Sequence, residues 1–553
     1  MGQQSDDLRP QSLAQVEQMM TGPSSIPNSI QASYDAVPYA SFPFPQSHPD
    51  RLATVATMMG MQPAPLTACR VLELGCAAGG NLIPMAYSLP HSEFIGLDLS
   101  PRQIAEGQTI VEALGLSNIS LRAQDMLAVD EGLGQFDYII AHGVYSWVPP
   151  EVRDKLLEIC GRHLAPQGVA YVSYNTYPGW RMQEAVRDML CYHTRQTSDP
   201  HERISQARQL LDFLAVNIPT ERNPHANFLH AYLNFVNERF VPATDNLVML
   251  HNELAEINQP VYFHQFAEHA AAHGLKFLAE ADFRATLAQN LPAPVLAALR
   301  QFGEDVVSLQ QYLDFLQNRT FRQTLLCHQA IRLKGKLAPE RLPEFAVASC
   351  ALPEQPDVEP RQATVVNFRA PNGDTLSTDH PVTKAAMLHL SQQWPQAVPF
   401  PALIAAAYQR LGLDASPAEM NNDWQLLATN LLRAYGFNED LVEFRLWVPP
   451  FVRQVSERPV VSPLARYQAR QGPYVTNLRH EVIKLEGVSH ALIPYLDGSW
   501  SRTALLEVLA GWLAEGTIEV SQADQPNREP AALLPETLEQ ALASLANAAL
   551  FVA

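Results

Sequence analysis

The chain has 553 residues, 47 % of them hydrophobic and only 17 % charged, a balance that supports a sizeable core and excludes global disorder. Against 57 acidic side chains stand 38 basic ones, a net charge of −19. That excludes the basic footprint of a phosphate-backbone binder and predicts no nucleic-acid partner, while a basic or neutral partner stays compatible.

Six cysteines (69, 76, 160, 191, 327 and 350) include no C-x-x-C pair. They make neither a disulfide framework nor a zinc spacing, so no metal is expected, and reduced thiols in the cytoplasm are the expectation. The opening MGQQSDDLRP is polar and acidic, unlike a signal peptide. With no apolar run of about 18 residues, no membrane span is predicted.

Residues 1–45 read as a mobile arm, and 34–52 interleave aromatics with prolines as an extended segment that packs on something. Ser47 with Asp50 resembles a capping box opening a helix to about Gly60. From 70 to 175, near-continuous apolar runs alternate with helical stretches: Arg70–Leu74, Phe94–Leu97, Ile119–Arg122, Phe136–Ala141 and Val169–Tyr174. Such strands mark a parallel sheet covered on both faces, an α/β, doubly wound, Rossmann-like fold. Residues 180–258 read as a helical insertion. The strand-like runs Lys276–Ala279 and Gln323–His328, within 259–336, read as the last strands of the same sheet. A linker is expected over 337–362, and two helical, winged-helix-like modules over 363–450 and 475–553.

The chemistry centres on VLELGCAAGG at 71–80. After a strand ending near Glu73, Gly75, Ala77 and Gly79 alternate ahead of a helix. Glycine permits the sharp turn and the close approach that a nucleotide cofactor needs. A carboxylate beside a pyrophosphate would repel it, but Glu73 suits the cationic amino-acid end of S-adenosylmethionine. Asp98, followed by Leu99, ends the second strand 25 residues later, where a carboxylate accepts ribose hydroxyls. Ser100 and Pro101 follow as N-cap and first helical residue. Asp125 follows the third strand, suited to the adenine amino group, with Met126 to pack on the ring. The segment 46–179 thus reads as an S-adenosylmethionine-binding core.

The fourth strand leads into His142, which is expected to meet both donor and acceptor, and into Tyr145, Ser146 and Trp147. The fifth runs into Tyr174 and Asn175. No Asn/Asp-Pro-Pro-Tyr occurs there. His142, Tyr145, Trp147, Tyr174 and Asn175 are therefore the candidates for an aromatic, desolvated acceptor channel that lowers an ammonium pKa and tolerates a cation. Core packing is the competing reading of each aromatic taken singly.

Six stretches carry a family resemblance: 34–52, 71–86, 136–149, 171–182, HNELAEINQPVYFHQFAEHAAAHGLKFLAEA at 251–281, and 479–509. The chain resembles the bacterial methyltransferases that carry a methyltransferase regulatory domain, which include the rickettsial protein-lysine methyltransferases acting on outer membrane protein B. The resemblance implies a class I fold, S-adenosylmethionine as donor (the EC 2.1.1 class), and, in some members, lysine side chains as acceptors. It places a regulatory-domain segment in 259–336, and supports Glu73, Gly75, Gly79 and Asp98 as donor residues. Asn252-Glu253 stands where the family often has an acidic-aromatic pair. A protein or peptide acceptor leads. A small-molecule acceptor and a donor-binding protein without catalysis are the alternatives, and the oligomeric state, a homodimer included, is left open.

Overall fold

The computed structural model describes residues 41–219, 224–239, 253–287, 291–334, 339–413, 417–518 and 529–552. Most of the arm expected over 1–45, and Asn252, lie outside the described residues.

The predicted strands form as β1 (Arg70–Leu74), β2 (Glu93–Asp98), β3 (Ile119–Ala123), β4 (Phe136–Ala141) and β5 (Leu164–Asn175). The two later runs add β6 (Leu275–Glu280) and β7 (Phe321–His328). The sheet order is β3-β2-β1-β4-β5-β7-β6, with β7 antiparallel to both of its neighbours and every other pair parallel. This is a class I methyltransferase sheet.

Both faces are buried because each strand carries apolar side chains on alternate sides. Val71, Phe94, Tyr138 and Tyr171 enter one core; Leu72, Ile95, Ile139 and Val172 enter the other. Helices Pro101–Leu114 and Pro150–His163 open as proline at the first turn allows, the first capped by the Ser100 side chain on Gln103 N–H.

The two last strands are clamped by a buried cation. Arg322 on β7 pairs with Glu280 on β6 and, at 2.7 Å, with Asp314 on helix Val306–Gln317. Its guanidinium also lies 3.9 Å over the Phe263 ring. Helix Phe263–Ala272 is held to helix Pro150–His163 by His269 and His273, whose Nε2 atoms lie 3.1 and 2.7 Å from Asp154 Oδ1.

Residues 189–256 separate as a unit of their own, in which helices Pro200–Asn217 and Pro224–Arg239 pack on each other and Ile204, Ala207, Leu211 and Leu233 are buried.

Three expectations about residues 41–362 are corrected. Residues 41–45 are not loose: Ser41 Oγ accepts from Gly80 N–H at 2.6 Å, and Asn81 Oδ1 accepts from Phe44 N–H at 2.8 Å. The helix Pro49–Met58 is capped by the His48 side chain on Asp50 N–H, while Ser47 closes a preceding 3-10 turn. The segment expected as a linker over 337–362 contributes core instead. Leu342, Phe345 and Val347 are buried, and Ala346–Ala348 is the centre of a three-stranded sheet with Val398–Pro399 and Glu443–Arg445. Its prolines and acids flank that short apolar strand rather than preventing it.

Beyond that sheet, helices Pro381–Gln393, Phe400–Leu411 and Pro417–Phe437 complete the first C-terminal module. The second holds helices Pro463–Ala469, Gly487–Leu492, Arg502–Ala514 and Leu534–Asn547, with a hairpin of Tyr474–Thr476 and Val482–Lys484. It begins earlier than the 475 expected, because Ser462 caps a short helix on Ala465 N–H. Among the described residues no helix is long and apolar enough to cross a membrane.

Candidate functional site

The carboxyl edge of β1, β2 and β4 gathers most of the predicted donor residues. The turn after β1 is held down by main-chain bonds: Gly75 and Cys76 N–H both donate to Leu97 O, at 2.8 and 3.1 Å. Gly75, Ala77 and Gly79 all take positive φ, +75°, +49° and +75°. A β-carbon on Gly75 would stand 2.6 Å from Val144 Cγ2, so the position demands glycine on both conformation and space. Ala77 holds a left-handed conformation that costs a β-carbon about 1–2 kcal/mol. It is held there by its N–H, which donates to Asp98 Oδ2 at 2.8 Å.

Asp98 therefore binds the turn directly. Its other oxygen accepts from Ser100 N–H at 2.9 Å, and Leu99 lies half-buried between them. Asp125 caps the turn Met126–Ala128 through Leu127 N–H at 2.9 Å. Met126 packs half-buried against the core that holds Leu72, Leu74 and Leu97.

Glu73 is the most unusual group of the edge. It is 2 % exposed; Oε1 accepts from Asn81 Nδ2 at 2.7 Å, and Oε2 is buried with no hydrogen-bond partner among the described residues. Burial pushes its pKa up to about 8, against the bond from Asn81 and with help from the negative Asp98. An orphaned, buried carboxyl oxygen beside a tight glycine turn, with a second carboxylate at the next strand tip, has the chemistry to fit a cationic nucleoside.

Asn81 was not anticipated from the sequence. Its Oδ1 accepts from Phe44 N–H and lies 2.9 Å from His480 Nε2, and its Nδ2 also donates to Ser47 Oγ at 3.0 Å. Phe44 in turn stacks on His142, ring centroids 3.7 Å apart. Only the aromatic pattern of 34–52 hinted at this contact.

The acceptor candidates divide. His142 follows β4 at the same edge, half-buried, with Nδ1 2.8 Å from Tyr171 Oη; burial lowers its pKa to about 4, so it is neutral near pH 7. Trp147 is half-buried with its indole N–H unpartnered among the described residues. Asn175 is buried, and its Nδ2 donates to Asn258 Oδ1 at 3.0 Å, stitching β5 to the segment before helix Phe263–Ala272.

Tyr174 and Tyr145 are not brought to His142. The Tyr174 ring is stacked 4.0 Å from Phe266, with its hydroxyl on Thr324, and Tyr145 packs edge-on to the same Phe266 with its hydroxyl 2.8 Å from His269 Nδ1. Both belong to the core under helix Phe263–Ala272. As acceptor-channel residues they are corrected, since their rings and hydroxyls are already used in packing.

Three family models match the chain: a methyltransferase domain over residues 71–168, the predicted methyltransferase regulatory domain over 245–328, and the PKMT C-terminal winged helix domain over 457–550. An uncharacterized protein of Rickettsia prowazekii (strain Madrid E) is 34 % identical over 499 residues, covering 89 % of this chain and 88 % of its own. A second, shorter protein of the same organism is 38 % identical over 253 residues, 46 % of this chain and 99 % of its own. The structure of PKMT2 from Rickettsia typhi in complex with AdoHcy is similar with a TM-score of 0.83 at 29 % identity, covering 93 % of this chain and 100 % of that one. With this sheet and these domain matches, S-adenosylmethionine is the methyl donor. The chain belongs to the bacterial class I, S-adenosylmethionine-dependent methyltransferases that carry a methyltransferase regulatory domain and a C-terminal winged-helix domain.

Proposed function

We propose that this methyltransferase acts on lysine side chains of a protein. The observation that carries the reading is the likeness to PKMT2 over 93 % of the chain, which takes in the C-terminal modules as well as the donor domain. Large accessory domains and a net charge of −19 suit a basic macromolecular acceptor.

In this reading the turn Gly75–Gly79 cradles the nucleoside, Glu73 receives the ammonium of its amino-acid end, and Asp98 the ribose hydroxyls. Asp125 and Met126 flank the adenine. Bound there, the donor supplies an electrophilic methyl group for in-line displacement by an amine. The chain's own residues prepare the acceptor. Phe44 and His142, with Tyr171 buried behind the imidazole, form an aromatic wall that favours a neutral amine over an ammonium and tolerates a cation on ring faces. An imidazole whose pKa burial lowers to about 4 is a weak general base near pH 7. His142 is thus a wall and hydrogen-bonding residue, oriented by Tyr171.

The test is to incubate the full chain with methyl-labelled donor and a bacterial lysate, then locate the label by mass spectrometry. Methylated lysine in protein is expected. Label confined to small molecules, with donor bound, contradicts the lysine reading.

A further inference from the structure

The hairpin of the winged-helix domain reaches back to the proposed donor site from 399 residues away in sequence. Its tip, residues 477–481, is locked by Asn477, whose Oδ1 accepts from both Arg479 and Glu481 N–H at 2.9 Å. This turn holds His480 at φ +66°, a left-handed conformation that a histidine adopts at a cost. The neighbouring Arg479 anchors the tip: it pairs with Glu443 at 2.7 Å and donates to Pro395 O at 2.9 Å. The result is a buried imidazole, 4 % exposed, with Nε2 at 2.9 Å from Asn81 Oδ1.

The proton positions on this chain of contacts follow from the partners. Phe44 N–H can only donate, so the Asn81 atom it meets is Oδ1 and the atom facing Glu73 is Nδ2. An amide oxygen cannot donate, so His480 must carry its proton on Nε2 and donate it. Four groups therefore fix one amide: Phe44 and Ser47 ahead of helix Pro49–Met58, Glu73 of β1 and His480 of the hairpin.

We infer that His480 is a positioning residue of the donor site: through Asn81 it fixes the Glu73 carboxyl so that Oε2 is presented to the ammonium of the donor. The inference rests on the reading that Glu73 receives that ammonium. It makes docking of the winged-helix domain a condition of tight donor binding rather than a separate, substrate-only function. His480 touches neither donor nor acceptor. Its effect is specific to the amino-acid end and leaves recognition of the adenosine portion to Asp98 and the glycine turn.

The experiment compares two ligands by calorimetry on the full chain: S-adenosylhomocysteine and its deamino analogue, which keeps the nucleoside, the thioether and the carboxylate. Wild type is expected to prefer the amino compound by about tenfold or more, the effect of one charge-assisted bond. H480M, which removes the N–H, should lose most of that preference while its affinity for the deamino analogue changes little. H480Q, which restores an N–H donor, should recover it. E73Q should abolish the preference outright.

A general structural defect in H480M would instead weaken both ligands alike and leave the preference intact, and that result overturns the inference. Loss of preference in E73Q but none in H480M sinks the His480 role alone. An unchanged preference in E73Q sinks the Glu73 reading and the inference with it. Should H480M fail to fold, wild-type protein with 15N-labelled histidine decides the matter. The His480 ring resonance must report a proton on Nε2 and shift on saturation with S-adenosylhomocysteine more than with the deamino analogue; equal shifts overturn the inference.

Discussion

Asn81 Nδ2 donates to Glu73 Oε1 at 2.7 Å and leaves Oε2 buried without a partner among the described residues. In the proposed donor site, this pair sets the pH behaviour. Burial holds the Glu73 pKa at about 8, against its ordinary 4.5, so the free protein carries a proton there at pH 7. An ammonium arriving beside it favours the carboxylate. Binding of S-adenosylhomocysteine should therefore release close to one proton per site at pH 7, and affinity should rise with pH up to about 8. Calorimetry in buffers of different ionisation enthalpy reads the proton directly; release that persists in Glu73→Gln assigns it to another group. For stability the sign is the opposite. The folded state binds more protons than the unfolded one between pH 4.5 and about 8, so this group's contribution falls as pH rises through that window.

Gly75→Ala should abolish measurable donor binding. The new β-carbon meets Val144 at 2.6 Å and the backbone is left-handed, costs that sum to roughly 2–5 kcal/mol of stability. Ala77→Gly, by contrast, relieves a left-handed alanine and should leave donor affinity within about threefold, with stability within about 1 kcal/mol of wild type. Urea unfolding and calorimetry on the two variants check the contrast.

Arg322→Met should be among the most destabilising single changes in the sheet. It leaves Glu280 and Asp314 buried without their shared cation, although Arg319 still lies 3.3 Å from Asp314. Breaking a buried pair in this way costs about 3–5 kcal/mol. A loss below about 1 kcal/mol in denaturant unfolding would show that the carboxyls simply take up protons.

Asp50→Ala should loosen the join between helix Pro49–Met58 and the first C-terminal module. Asp50 Oδ1 accepts from Leu446 and Trp447 N–H at 2.8 and 2.9 Å, and the Trp447 ring stacks on His48, whose ring lies 5.0 Å from that of His480. Two buried donors left unpaired cost about 2–4 kcal/mol. Faster amide exchange at Leu446 and Trp447, ahead of global unfolding, is the expected signature.

The sheet was legible because its strands are near-continuous apolar runs that end at Gly or Asp, and strand tips that follow one another line one crevice. The same logic singled out Glu73, Gly75, Gly79 and Asp98, which the fold gathers at the carboxyl edge of β1 and β2. It failed on side-chain direction. Tyr171 and Tyr174 lie three positions apart on one strand, so period-two alternation sends them to opposite faces: Tyr171 to His142, Tyr174 to Phe266. Asn81 was missed because its partners are spread from Phe44 to His480, and no local pattern encodes a bond across 399 residues. The segment Phe345–Ala348 was read as linker because a three-residue strand is too short for its periodicity to show.

The donor is proposed to lie at the β1–β2 edge between Glu73 and Asp98. A crystal structure of the full chain with S-adenosylhomocysteine tests it most directly. The ribose hydroxyls are expected within about 3 Å of Asp98, with the amino-acid end over Gly75–Gly79 on the Glu73 side. A nucleoside bound at any other edge of the sheet, or one whose ribose makes no contact with Asp98, would contradict the account.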